Sequence, residues 1–223
     1  MIEIADINLT NLCNARCPQC QRTAEIGLDT LKGLPMITWS LQDFMNYFPK
    51  NCLDDIKEYS FCGTWGDPLM AKDIEPIVHY IMDNSNAKVI ITTNGSIRKD
   101  DFYIRLGNYC GRRLSMVIDV DGTTEEMHQK YRRGTSLKKS LSALKALSTT
   151  KAIPLSQTVL FKHNEMYNEQ IKKLAIENGS HNHVSYPSDR FDFLHGDLNT
   201  FNFTNEDGEH ETLERAVHVK NYM

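Results

Sequence analysis

Short runs of β-branched and apolar residues recur along the chain with stretches of helical periodicity between them, and this alternation restricts the fold more than any other feature. Residues 2–9 (IEIADINL), 56–62, 88–95 (KVIITTNG), 114–122 (LSMVIDVDG) and 153–161 read as strands, with a weaker sixth at 183–186. The helix between the first two starts near Thr38 or Ser40 and carries Leu41, Phe44, Met45 and Phe48 on one face. The next, with Asp73 placed to cap it, turns Ile74, Ile77, Val78 and Ile81 to a core. A short helix near 101–106 follows, then a helix pair whose second member carries Leu137, Leu141, Leu144 and Leu147, and a last one over 165–178 closed by Gly179. Strand, loop and helix in repetition imply right-handed crossovers and a parallel sheet with both faces covered. Five or six such units are fewer than a closed barrel needs, so the expected fold is α/β, a partial (β/α)6 TIM-like barrel.

A chain of 223 residues suffices for one substantial core, expected over residues 1–186. From Pro187 the sequence turns polar and irregular, with one further helix expected over 212–222. Residues 187–223 are therefore expected to pack on or over the core as an extension of it. A formal charge of −4 gives no general attraction to phosphate backbones, so no nucleic-acid partner is expected. The first residues lack a basic region leading into an apolar stretch, and no later run is long enough to span a bilayer, which predicts a cytoplasmic, membrane-free protein.

In that compartment thiols stay reduced, and the close grouping of Cys13, Cys17 and Cys20 favours metal binding over disulfides. A 4Fe–4S cluster is usually held by four thiolates, and this loop offers three, so one iron is left open for a ligand. The alternative, zinc, needs a fourth protein ligand, and His163, His181 and His183 are distant in sequence. Cys52, Cys62 and Cys110 are scattered, as small buried residues are; Cys62 lies near TWGDP, which leaves a role as a radical partner open.

The strand followed by CNARCPQC resembles the cluster loop of the radical S-adenosylmethionine (SAM) superfamily. The resemblance implies that the open iron is chelated by the amino and carboxylate groups of SAM, and that reductive cleavage of SAM releases a 5′-deoxyadenosyl radical. Gln19 departs from the aromatic residue common before the third cysteine. TWGDP resembles the motif that meets the SAM amino group, which assigns Gly66, Asp67 and Pro68 to cofactor binding. A glycine turn exposes backbone carbonyls, and Asp67 adds an acceptor suited to an ammonium group. Thr93, Asn94 and Gly95 resemble a turn found beside SAM, and Asp119, on the same strand face as Asp121, matches the ribose-contacting position. In YRRG, Arg133 is assigned to the SAM carboxylate and Arg132 to solvent, since a guanidinium fork fits a carboxylate well. Lys162, His163 and Asn164 either touch SAM or substrate or cap the helix after them, and Asn164 joins the cofactor set.

The ordered motifs look most like the core of the peptide-modifying (SPASM/twitch-type) branch, and the lack of cysteine after Cys110 marks a minimal, single-cluster member. The expected function is hydrogen abstraction from a peptide or protein, with a flavodoxin- or ferredoxin-type electron donor. The alternatives are the same radical step on a small metabolite or nucleotide, and a non-catalytic iron–sulfur protein for electron transfer or activation.

Overall fold

In the computed structural model, which describes residues 2–193 and 198–218, six strands lie side by side in chain order and all run parallel. They are β1 (Ile2–Asp6), β2 (Ile56–Phe61), β3 (Lys88–Thr93), β4 (Leu114–Asp119), β5 (Ile153–Leu160) and β6 (His183–Pro187). Between them come α1 (Leu41–Tyr47), α2 (Ile74–Asn84), α3 (Asp100–Cys110), α4 (Glu125–Gln129), α5 (Leu137–Ser148) and α6 (Asn168–Glu177). The sheet curls into half a barrel, as the alternation in the sequence predicts.

One sheet face is sealed: Val89, Ile91, Met116 and Ile118 are fully buried in one core with Ile77, Ile81, Leu144 and Leu147 from α2 and α5. The alternate residues Ile90, Val117 and Leu155 are only half-buried, and Ile4, Val184 and Tyr186 are exposed. The expectation that both faces are covered therefore fails. Six strands curve without closing, and among the described residues no second layer of side chains fills the concave side.

Helix ends show how local chemistry sets the boundaries. Ser40 and Asp43 form a reciprocal capping box on α1. Asp73 sits at the start of α2 but makes no side-chain cap there; its carboxylate accepts from the Leu41 N–H (2.9 Å) and so ties α1 to α2.

The expected helix over 212–222 is not found in its described part. A four-residue helix, α7 (Arg190–Phe193), precedes an antiparallel hairpin of β7 (Thr200–Thr204) and β8 (His210–Glu214). Phe201, Phe203 and Leu213 alternate inward, and Gly208 takes the positive φ that its turn requires. Period two and a turn glycine override the helical reading; residues 219–222 of that expectation, and His195, lie outside the described residues.

Hairpin and core are joined at several points. The Thr204 carbonyl accepts from Gly27 N–H, the Thr204 N–H donates to Glu25, and Phe201, Phe203 and Leu213 pack in one cluster with Ala15, Cys17 and Leu28. Farther on, Glu165 accepts from the N–H groups of Val217 and His218. Among the described residues no helix is long and apolar enough to cross a membrane.

Candidate active site

Parallel strands end on one edge of the sheet, and there the loops and side chains of β2 to β6 meet the cysteine loop around a cavity of about 300 Å³. Cys13, Cys17 and Cys20 all line it. Burial pushes the Cys13 thiol up to about 11 and the more deeply buried Cys17 thiol higher still, so without a cation both are neutral S–H groups. Among the described residues no three Cys, His, Asp or Glu side chains converge as ligands of one ion. Thiols that each take a separate corner of a cluster need no such convergence, and among the described residues no fourth ligand joins them as a structural zinc requires.

Arg22 holds this loop in shape. Its Nε donates to the Asn11 carbonyl (3.0 Å), Nη1 to Ala15 (3.2 Å), and Nη2 to Cys13 (3.2 Å) and to Thr30 Oγ1 (2.9 Å). It is buried with carbonyl and hydroxyl partners and no carboxylate, so its positive charge stays available to thiolates bound above it. The sequence reading missed it; the one signal available was an arginine two residues past the third cysteine.

The TWGDP loop packs directly on the cysteine loop because Gly66 has no side chain: a Cβ there would sit 2.4 Å from the Thr10 carbonyl oxygen and 2.7 Å from Asn11 Cα. Asp67 follows, buried, and accepts from Thr93 Oγ1 (2.8 Å), Asn94 N–H (2.8 Å) and Leu69 N–H (3.0 Å). It joins two motifs into one wall, and Gly63, Thr64 and Gly66 line the cavity beside it. Pro68 is buried at the head of a short 3₁₀ turn behind the wall. Thr93 and Asn94 line the cavity, and Asn94 Nδ2 reaches Asn14 Oδ1 (2.8 Å) in the cysteine loop.

Asp119 ends β4 opposite Gln157 of β5, so the two side chains share a face and Gln157 Nε2 donates to Asp119 Oδ1 (2.8 Å). Arg132 lies across them, with Nη1 2.9 Å from Asp119 Oδ2 and Nε 2.5 Å from Asp121 Oδ2. Two buried carboxylates compete for one guanidinium, and burial pushes Asp119 up to about 7 although Arg132 draws it down. Asp121 is more than a turn opener, since its Oδ1 also accepts from Val159 N–H (2.6 Å).

The two arginines of YRRG part company. Arg132, assigned to solvent in the sequence, lines the cavity; Arg133 turns away and pairs with Glu206 (3.1 Å) and with Glu211 of the hairpin. Spacing places both on one short turn and does not tell which side faces inward. Asn164 is also outside the cavity wall: fully buried, it bonds the carbonyls of Asp121 and Val159 and the N–H of Phe161, closing the loop after β5. Gln157, Tyr186 and Arg190 line the cavity without having stood out in the sequence, because each belongs to no motif, and Tyr131 lines it as the unassigned first residue of YRRG.

A model of the "Radical SAM superfamily" matches residues 7–175. No curated protein matches in sequence. Among solved structures the chain resembles Streptococcus suis SuiB bound to precursor peptide SuiA (14% identity, 83% of this chain and 39% of that chain, TM-score 0.66). It also resembles anSMEcpe with bound AdoMet and Cp18Cys peptide (14%, 83% and 50%, TM-score 0.61) and methylornithine synthase, PylB (10%, 83% and 53%, TM-score 0.61). The chain thus spans from about two-fifths to half of these proteins' lengths.

Proposed function

The chain belongs to the radical SAM superfamily, and on that premise we propose that it binds SAM and a 4Fe–4S cluster in the cavity described and abstracts hydrogen from a peptide or protein substrate. The observation that carries this reading is the meeting of three thiols with polar groups from the ends of β2 to β6 around one cavity. A cluster held by Cys13, Cys17 and Cys20 supplies the electron that splits SAM into methionine and a 5′-deoxyadenosyl radical.

The residues of this chain do the rest of the work. Arg22 fixes the loop carbonyls, so the three sulfurs keep their places. Gly63, Thr64 and Gly66 would meet the ammonium group, while Asp67, its oxygens committed to Thr93, Asn94 and Leu69, keeps that turn in place. Arg132 commits Nε and Nη1 to the two aspartates and retains Nη2 for an anionic group, a role its placement supports better than that of Arg133. Asp119 and Gln157 offer a paired acceptor and donor to ribose hydroxyls. Tyr131 and Val159 keep water from the cavity floor.

Peptide binding by SuiB and anSMEcpe supports the substrate class, as does the open concave face with Tyr186 at its rim. Likeness to methylornithine synthase favours a small metabolite as the second reading. Residues 187–223 pack on or over the core in this reading and form no separate domain, and a flavodoxin- or ferredoxin-type protein supplies electrons. The test is anaerobic reconstitution followed by 5′-deoxyadenosine analysis under dithionite. Wild type is expected to form it and Cys17→Ala to form none; no product from a fully reconstituted wild type overturns the reading. Deuterium carried from labelled peptides, and not from labelled metabolites, into 5′-deoxyadenosine decides the substrate class.

A further inference from the structure

The wall of the cavity continues down the concave face of the sheet. Side chains alternate along a strand, so Ile90, Val117, Leu155 and Val184, each two positions before a cavity-lining residue of its own strand, stand on that same face. The first three are half-buried and Val184 is 49% exposed. At the β1 edge Asp6 joins this stripe: it pairs in register with Ser60, whose Oγ donates to Asp6 Oδ1 (3.3 Å). The stripe is therefore apolar from β3 to β6 and acidic at β1.

Asp6 is exposed, and each cation near it is spoken for or out of reach. Lys57 stands on the opposite sheet face and pairs with Glu3 (2.6 Å), Lys88 lies beside Glu58 in register, and Arg132 is held by Asp119 and Asp121. Among the described residues Asp6 thus enters no ion pair. Its charge is felt in the cavity all the same: burial raises the Cys62 thiol, and Asp6 and then Asp119 raise it further. The complement of such a group is a cation. Length selects the kind of molecule that carries it. From β1 to β6 the stripe crosses five strand spacings, roughly 24 Å, or about seven residues of extended chain. A free amino acid would cover one end of it, whereas a polypeptide can enter and leave over the two open sheet edges.

We propose that the concave face takes an extended peptide segment that carries a lysine or arginine, with Asp6 selecting the basic side chain and Val117, Leu155 and Val184 an apolar one. The proposal rests on the function proposed above and narrows its substrate class. Asp6 is three strands from Asp119, roughly 14 Å, so the basic residue falls within about four residues of the one that loses hydrogen. Asp6 acts by binding and orienting the segment and takes no part in the bond changes.

The test selects mRNA-displayed random peptides on the immobilised, reconstituted protein saturated with SAM. Wild type is expected to enrich peptides with Lys or Arg near an aliphatic or aromatic residue. Asp6→Lys is expected to enrich Asp or Glu in place of the basic residue, and Val184→Asp to keep the basic residue and lose the apolar one. Asp6→Asn, which preserves the size of the side chain, is expected to lose the basic preference without reversing it. For one enriched peptide, Asp6→Lys is expected to weaken binding about tenfold or more, and exchanging the peptide's basic residue for Glu to recover most of that loss. Enrichment without basic residues, enrichment unchanged in the Asp6 variants, or no recovery on charge exchange overturns the proposal. So does a wild type that enriches no peptide, and saturable binding of free lysine in its place would make the face a metabolite site. Absence of 5′-deoxyadenosine from wild type under dithionite defeats the proposed function instead, and the selection still decides what the face binds.

Discussion

His128 shows how single residues hold up the site without touching it. It is fully buried; Nδ1 accepts from the Asp121 N–H (3.1 Å) and Nε2 meets Thr135 Oγ1 (2.9 Å). Burial draws its pKa down to about 4, and His183, between Ser156 (2.8 Å) and Thr158 (3.2 Å), is drawn down to about 4 in the same way. Both folded values lie below the ordinary one, so the stability these groups contribute is present above pH ~6.5 and is lost as pH falls through ~4. Each loss is on the order of 3 kcal/mol. Asp119, raised to about 7, runs the other way: its contribution is present below pH ~4 and is lost as pH rises through ~7. Comparison with His128→Gln isolates the histidine. Urea midpoints of the cluster-free protein are expected to fall less between pH 6.5 and 4 in the variant than in wild type, and equal falls would show that His128 is not held neutral. None of this was legible in the sequence, where His128 did not stand out; the burial of both histidines depends on neighbours brought together by the fold.

At the scale of elements, the strands and long helices were legible because apolar periodicity and caps act within a few residues of each other. The β7–β8 hairpin was not, since its polar composition hid an alternation of Phe201, Phe203 and Leu213. The hairpin matters because Arg133 binds it from one side of the cysteine loop while Thr204 pairs with residues 25–27 on the other. The Arg133 carbonyl also accepts from Arg16 N–H (2.9 Å) within that loop. Arg133 is thus a positioning residue, and its substitution separates it from Arg132. Arg133→Met and Glu211→Gln are each expected to lower the iron retained after desalting and to speed bleaching of the cluster in air, with SAM affinity within about twofold of wild type; Arg133→Lys restores part of the retention. Arg132→Met is expected to weaken SAM binding about tenfold or more. A comparable loss of SAM affinity in Arg133→Met with its cluster intact would restore the assignment drawn from the sequence.

At the scale of the whole molecule, parallel order and half closure bring residues as far apart as Cys13 and Tyr186 to one edge, and leave the concave face open beside them. The motifs could be read in chain order because each follows a strand, and chain order is spatial order in this sheet. Facing was not readable: Arg133 and Asn164 are committed to the protein's own frame, while Asp67, Arg132 and Gln157 line the cavity. On the proposed function, three cysteines leave an iron open to SAM in that cavity. Electron paramagnetic resonance of the reconstituted, dithionite-reduced protein checks this. A 4Fe–4S signal whose g-values shift when SAM is added is expected, with no such signal in Cys17→Ala; a reduced cluster whose spectrum is unchanged by saturating SAM overturns the proposed function.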